Sequence, residues 1–158
     1  MSKLLASALG ALTLASLVLV AAPATNASAA GCTYPTYSVY PGSATAQLRY
    51  GEVRFSFAAC DPASATAVVS RQAVNATGKN LGFFIDNVTI RPVASGGWYK
   101  DFEGVISAST CVPRVGWPCS RSYTFTAQYR VTVDRFGNPQ VYQGQLSAPI
   151  GMALFTTP

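Results

Sequence analysis

From Tyr123 to Val133 every second residue is apolar: Tyr123, Phe125, Ala127, Tyr129, Val131 and Val133. Thr124, Thr126, Gln128, Arg130 and Thr132 stand between them, and Asp134 follows. Successive side chains of a strand point to opposite faces, so this stretch has one dry face and one wet face. Arg135-Phe136-Gly137-Asn138-Pro139 then breaks the alternation with turn residues. Residues 140–146 resume it, with Tyr142 and Leu146 read onto one face. A long β-hairpin over 122–146 is predicted, and the rest of the chain is expected to pack on it.

The remaining segments read the same way. Residues 47–59 form a strand with one phase slip. Leu48 and Tyr50 are apolar at even positions, Val53, Phe55, Phe57 and Ala59 at odd ones. Gly51 stands at the change, where a bulge would return the apolar side chains to the core; a tight turn at Tyr50-Gly51 is the alternative. Residues 66–74 and 83–93 are further strands. In the second of these Phe84, Val88 and Ile90 share a face, and Asp86 interrupts it. This predicts that Phe83 and Ile85 point inward first and that a bulge follows. Residues 75–80 read as a loop, Ser95-Gly96-Gly97 as a turn, 98–108 as a strand containing Trp98, Phe102, Ile106 and Ala108, and 150–155 as a last short strand. No segment holds a helical period over ten residues. Eight or nine short strands joined by Gly, Pro and Asn turns predict an all-β fold: an antiparallel two-sheet sandwich of immunoglobulin-like type, with a small closed barrel as the alternative.

Residues 1–30 stand apart from this pattern. Lys3 precedes an apolar run of Leu, Ala and Val over 4–22, and Ala27-Ser28-Ala29 is a small-x-small cleavage site. This is the composition of a secretory signal peptide, preferred here over a membrane anchor. A lipoprotein site at Cys32 is a weaker alternative, because about ten residues separate it from the apolar run, where such motifs adjoin theirs. The expected mature chain, 31–158, is long enough for one domain. Without Lys3 it keeps ten of the eleven basic residues and all six acidic ones, a net charge of about +4. Arg49, Arg54, Arg71, Arg91, Arg130 and Arg135 lie singly, with no basic block, so neither nucleic acid nor a membrane is an expected partner of the cleaved chain.

Cys32, Cys60, Cys111 and Cys119 are the four cysteines. An even number in an exported chain implies disulfides. The sequence-local pairs 32–60 and 111–119 are favoured among the three pairings. A zinc site lacks both a Cys-x-x-Cys and any histidine.

The absence of histidine also removes Ser–His–Asp and Cys–His catalysis. Asp101 and Glu103 would share a strand face about 7 Å apart, a spacing compatible with carboxylate-based hydrolysis. With Asp86 or Asn87 they are also a possible set of Ca²⁺ oxygen ligands. For both, a solvated strand face is the preferred reading, so neither a catalytic group, a metal nor a cofactor is assigned. Asn75-Ala76-Thr77 and Asn87-Val88-Thr89 are glycosylation sequons, relevant only to a eukaryotic export route.

Two stretches are candidates for binding. Tyr34, Tyr37 and Tyr40 recur every third residue beside Pro35 and Pro41, a spacing suited to an extended segment. They are read either as an aromatic strip for a sugar or peptide or, preferably, as a strand covering the core. The second stretch is Cys111-Val112-Pro113-Arg114-Val115-Gly116-Trp117-Pro118-Cys119. If bridged, it is a rigid nine-residue ring offering Arg114, Val115 and Trp117, and such a ring loses little entropy on binding. It is similar in size and Pro content to the inhibitory ring of Bowman–Birk-type protease inhibitors. In that family the specificity residue is third in the ring, where Pro113 stands here, and the Ser and paired Pro that follow it are absent. The resemblance implies Arg114, in a shifted register, as a ligand for an extracellular trypsin-like protease. The preferred reading of the ring is a stapled loop with Trp117 folded onto the sandwich edge. The sequence therefore predicts a secreted, non-enzymatic binding module for a small ligand, glycan or protein, with protease inhibition through Arg114 as the second reading.

Overall fold

A computed structural model describes residues 31–157 apart from 114 and 116. The predicted signal peptide and Arg114 lie outside the described residues. The strands are β1 (Thr36–Ser43), β2 (Leu48–Arg49), β3 (Gly51–Ala58), β4 (Thr66–Val74), β5 (Phe83–Gly96), β6 (Tyr99–Cys111), β7 (Cys119–Val133), β8 (Pro139–Ser147) and β9 (Met152–Thr156). All pairings are antiparallel. One sheet contains β1, β2, β3, β4 and β9; the other is the meander β5-β6-β7-β8. The two pack face to face as the predicted two-sheet sandwich, and the closed barrel is ruled out.

The central hairpin is formed by β7 and β8, in register from Val133 opposite Pro139. Its turn is built by Asp134, whose carboxylate accepts the N–H groups of Phe136 and Asn138. Gly137 supplies the left-handed residue, at φ 83°. Phe125, Ala127, Tyr129 and Val131 are buried as the alternation requires. From the facing sheet Val39, Val53, Phe55 and Phe57 meet them. Tyr129 is the hub, with ring centroids 5.0 Å from Phe57, 5.4 Å from Tyr37 and 5.6 Å from Phe55. Each such buried side chain contributes about 1.5–3 kcal/mol by leaving water. Gly104 on β6 makes room for Phe55: a Cβ there would lie 2.6 Å from the ring.

The phase slip at Gly51 is a register slip against β1. Gly42 faces Arg49 and Val39 faces Val53, so β1 advances three residues while the facing chain advances four. The extra residue turns the odd positions of β3 inward. The bulge expected near Asp86 lies between Ile85 and Asn87, with Phe83 buried before it and Val88 and Ile90 packed on the core after it.

Two expectations are corrected. Residues 75–80 are not a plain loop: Ala76–Asn80 form the single helical turn α1. Asn75 caps it by accepting the Gly78 N–H, and its amide donates to the Arg49 carbonyl. Tyr142 and Leu146 do not share a face. Ala127 faces Leu146 and Tyr129 faces Gln143, so β8 carries an extra residue between them. That bulge packs Leu146 against the core and turns Tyr142 out to solvent.

Bulges also guard the sheet borders. β4, β5 and β8 are border strands; β4 and β8 each carry one and β5 carries two. β5 adds Pro92, which has no N–H to offer a passing strand.

Both favoured disulfides are present, Cys32–Cys60 and Cys111–Cys119. No helix of the described residues is long and apolar enough to cross a membrane.

Candidate functional site

The sequence-derived candidates do not converge on one place. Tyr34, Tyr37 and Tyr40 do not form a common strip, because β1 is pleated rather than three-fold. Tyr34 is exposed. Tyr37 turns inward, packs edge-to-face on Phe57 and tilted against Tyr129, and its hydroxyl donates to the Val141 carbonyl. Burial, then Tyr142 nearby, raises the Tyr37 pKa. Tyr40 lies under the Arg49 guanidinium, 4.5 Å from the ring centre.

The 111–119 ring is closed by its disulfide and by the Val112 N–H donating to the Pro118 carbonyl over 3.1 Å. Its base is fixed to the fold by the Cys111 N–H, which donates to Gly82 over 2.8 Å. Val115 and Trp117 are 72% and 75% exposed, so Trp117 is not folded onto the sandwich edge.

Asp101 and Glu103 do project from one face of β6, and each is held by an arginine. Both oxygens of Asp101 accept from Arg130 across the β6–β7 ladder, at 2.7 and 2.8 Å. Glu103 accepts from Arg91 across the β5–β6 ladder at 3.3 Å. Asp86 accepts from the Ser109 hydroxyl. Among the described residues no group of three His, Cys, Asp or Glu side chains could hold a metal ion.

The arginine–carboxylate pair instead marks a depression of about 380 Å³ on the outer face of the four-stranded sheet. Val93 of β5, Asp101 of β6, Gln128 and Arg130 of β7, and Tyr142 and Gly144 of β8 line it. Arg130 lies with its guanidinium 4.9 Å from the Tyr99 ring, and Tyr99 stacks on Trp98 at 4.9 Å. The hydrogen bonds that Arg130 donates to Asp101, and then the Asp101 charge, raise the Arg130 pKa. The guanidinium is thus oriented from two sides, by a planar carboxylate and by an aromatic ring. Chemically the depression offers hydrogen-bond donors and acceptors, one half-exposed aromatic ring and no unpaired charge.

Of these residues, sequence reasoning singled out Asp101 alone, and for a different role. Gln128 and Arg130 were legible as the wet phase of β7. Their meeting with Asp101 follows from the β6–β7 register, and Tyr142 joins them only because of the β8 bulge. A comparison of the chain with protein-family models, with curated proteins and with solved structures found no match.

Proposed function

We propose that the chain is a secreted, non-enzymatic recognition module that takes its ligand on the outer face of the β5-β6-β7-β8 sheet. Two disulfides and the composition of residues 1–30 support export. The observation that carries the binding reading is the depression over Asp101, Arg130 and Tyr142. It is concave, it mixes apolar and polar groups, and its polar groups are pre-oriented, as ligand sites require. The carboxylates that hydrolysis would use are both engaged by arginines.

A second reading rests on the exposed Val115 and Trp117 of the 111–119 ring: inhibition of a trypsin-like protease, with Arg114 as the specificity residue. One experiment separates the two. Purified protein is screened for binding to glycans and peptides and for inhibition of trypsin. The first reading expects binding without turnover, lost in Arg130→Ala/Tyr142→Ala and kept in Arg114→Ala. Inhibition lost in Arg114→Ala, with no ligand bound at the sheet face, would move the function to the ring.

A further inference from the structure

We infer that the ligand of this face is a neutral glycan; the inference rests on the recognition reading above and names its ligand class. Three observations select it. First, the charges are internally matched: Arg130 is paired with Asp101 and Arg91 with Glu103. An ionic ligand would meet charges already neutralised by their partners, whereas an uncharged ligand needs no counter-charge.

Second, the free hydrogen-bonding capacity suits hydroxyl groups. Arg130 has five N–H donors in all, and Asp101 takes one from Nε and one from a terminal nitrogen. The others, with the Gln128 amide and the Tyr142 hydroxyl, remain beside the Tyr142 ring, which is 55% exposed. A sugar presents hydroxyls around its rim and C–H groups on its face. It therefore matches polar donors set beside a flat aromatic ring whose ordering costs little entropy.

Third, although Val93 comes from the border strand β5 and Tyr142 and Gly144 from the border strand β8, the Asp101–Arg130 pair and Gln128 stand on β6 and β7, interior strands paired on both sides. Their backbone groups are engaged in the ladders. A peptide recognised as an added strand needs an open border, and the depression does not offer one there.

The test is affinity electrophoresis of the full mature chain through gels containing soluble glucan, mannan, galactan or xylan, with polygalacturonate as the anionic probe. A library of uncharged peptides is screened alongside by fluorescence polarisation. At least one neutral polysaccharide should retard the protein, and about 0.5 M salt should leave the retardation unchanged, since no charge is neutralised on binding. Tyr142→Ala should weaken it about tenfold or more, equivalent to about 1.4 kcal/mol, with an unchanged circular dichroism spectrum because the side chain is solvent-facing. Asp101→Asn should release the Arg130 charge, so that neutral polysaccharide is held less well and polygalacturonate retardation increases over that of the parent. No retardation by any neutral polysaccharide, or retardation that survives Tyr142→Ala, overturns the inference. If peptides bind instead and Tyr142→Ala abolishes that binding, the glycan assignment falls and the recognition reading stands. If neither polysaccharide nor peptide binds, both fall.

Discussion

Asp101 and Arg130 face each other across β6 and β7 and are joined by two parallel hydrogen bonds. The pair is at the surface, so water and salt screen it, and such pairs add little to stability. Its effect is on orientation: it fixes the guanidinium plane over Tyr99. Arg130→Met is therefore expected to unfold at nearly the same urea concentration as the parent while changing Trp98 fluorescence through the Trp98–Tyr99 stack. A fall in the midpoint as large as that of a core substitution would show that the pair holds the fold.

Gly104 is required by Phe55 rather than by its own backbone. An added Cβ would come within 2.6 Å of a ring that is itself fully buried. Gly104→Ala should cost about 1–3 kcal/mol by overpacking, read from urea denaturation. Gly104→Ala/Phe55→Leu should recover part of that loss.

Tyr129 and Tyr37 make opposite predictions for the same chemical change. The Tyr129 hydroxyl is buried with no hydrogen-bond partner among the described residues. Burial, followed by the neighbouring Tyr37, pushes its pKa upward. Tyr129→Phe should leave stability unchanged or raise it by up to about 1 kcal/mol, because an unmet desolvation cost is removed. Tyr37→Phe removes a donor to the Val141 carbonyl and should cost about 0.5–1.5 kcal/mol. Denaturation midpoints of the two variants check the sign.

The two disulfides close loops of different length, with sequence separations of 28 and 8. In the chain-entropy model they restrict the unfolded chain by about 3.6 and about 2.6 kcal/mol. Cys32→Ala/Cys60→Ala should lower the thermal midpoint more than Cys111→Ala/Cys119→Ala. The reverse order would mean that the ring restrains the folded state beyond its loop length.

Glu52 sets part of the acid limb of stability. Burial acts to raise its pKa, but hydrogen bonds from Arg54 and Ser38 and the charges of Arg54 and Arg71 outweigh this and lower it from 4.5. A carboxyl with a depressed folded pKa stabilises above its unfolded value, and that contribution is lost as pH falls through the folded one. Stability measured from pH 6 downward should therefore decline less steeply below about 4.5 in Glu52→Gln than in the parent.

The strands were legible because burial is one-sided: alternation over 123–133 specifies which atoms leave water, and Gly51 and Asp86 interrupt the pattern where the chain bulges. α1 was hidden because Asn75 and Gly78 are turn formers by composition, and only the Arg49 and Tyr50 backbones beside them select a helical turn. The binding face was hidden for a related reason. Arg130 and Asp101 read separately as wet-face residues, since a strand's sequence shows its own faces but not its neighbour's register. Tyr142 was placed with Leu146 because Gly144, which stands in the β8 bulge, was not read as its mark.

β9 runs beside β1, from Ser43 opposite Met152 to Val39 opposite Thr156. The first strand of the sandwich thus has its partner in the last of the described strands, which is made after all the others. Until then the backbone of residues 39–43 has one bare flank. The four-stranded meander depends on no such late arrival, and it is the layer on which a growing chain can first organise itself.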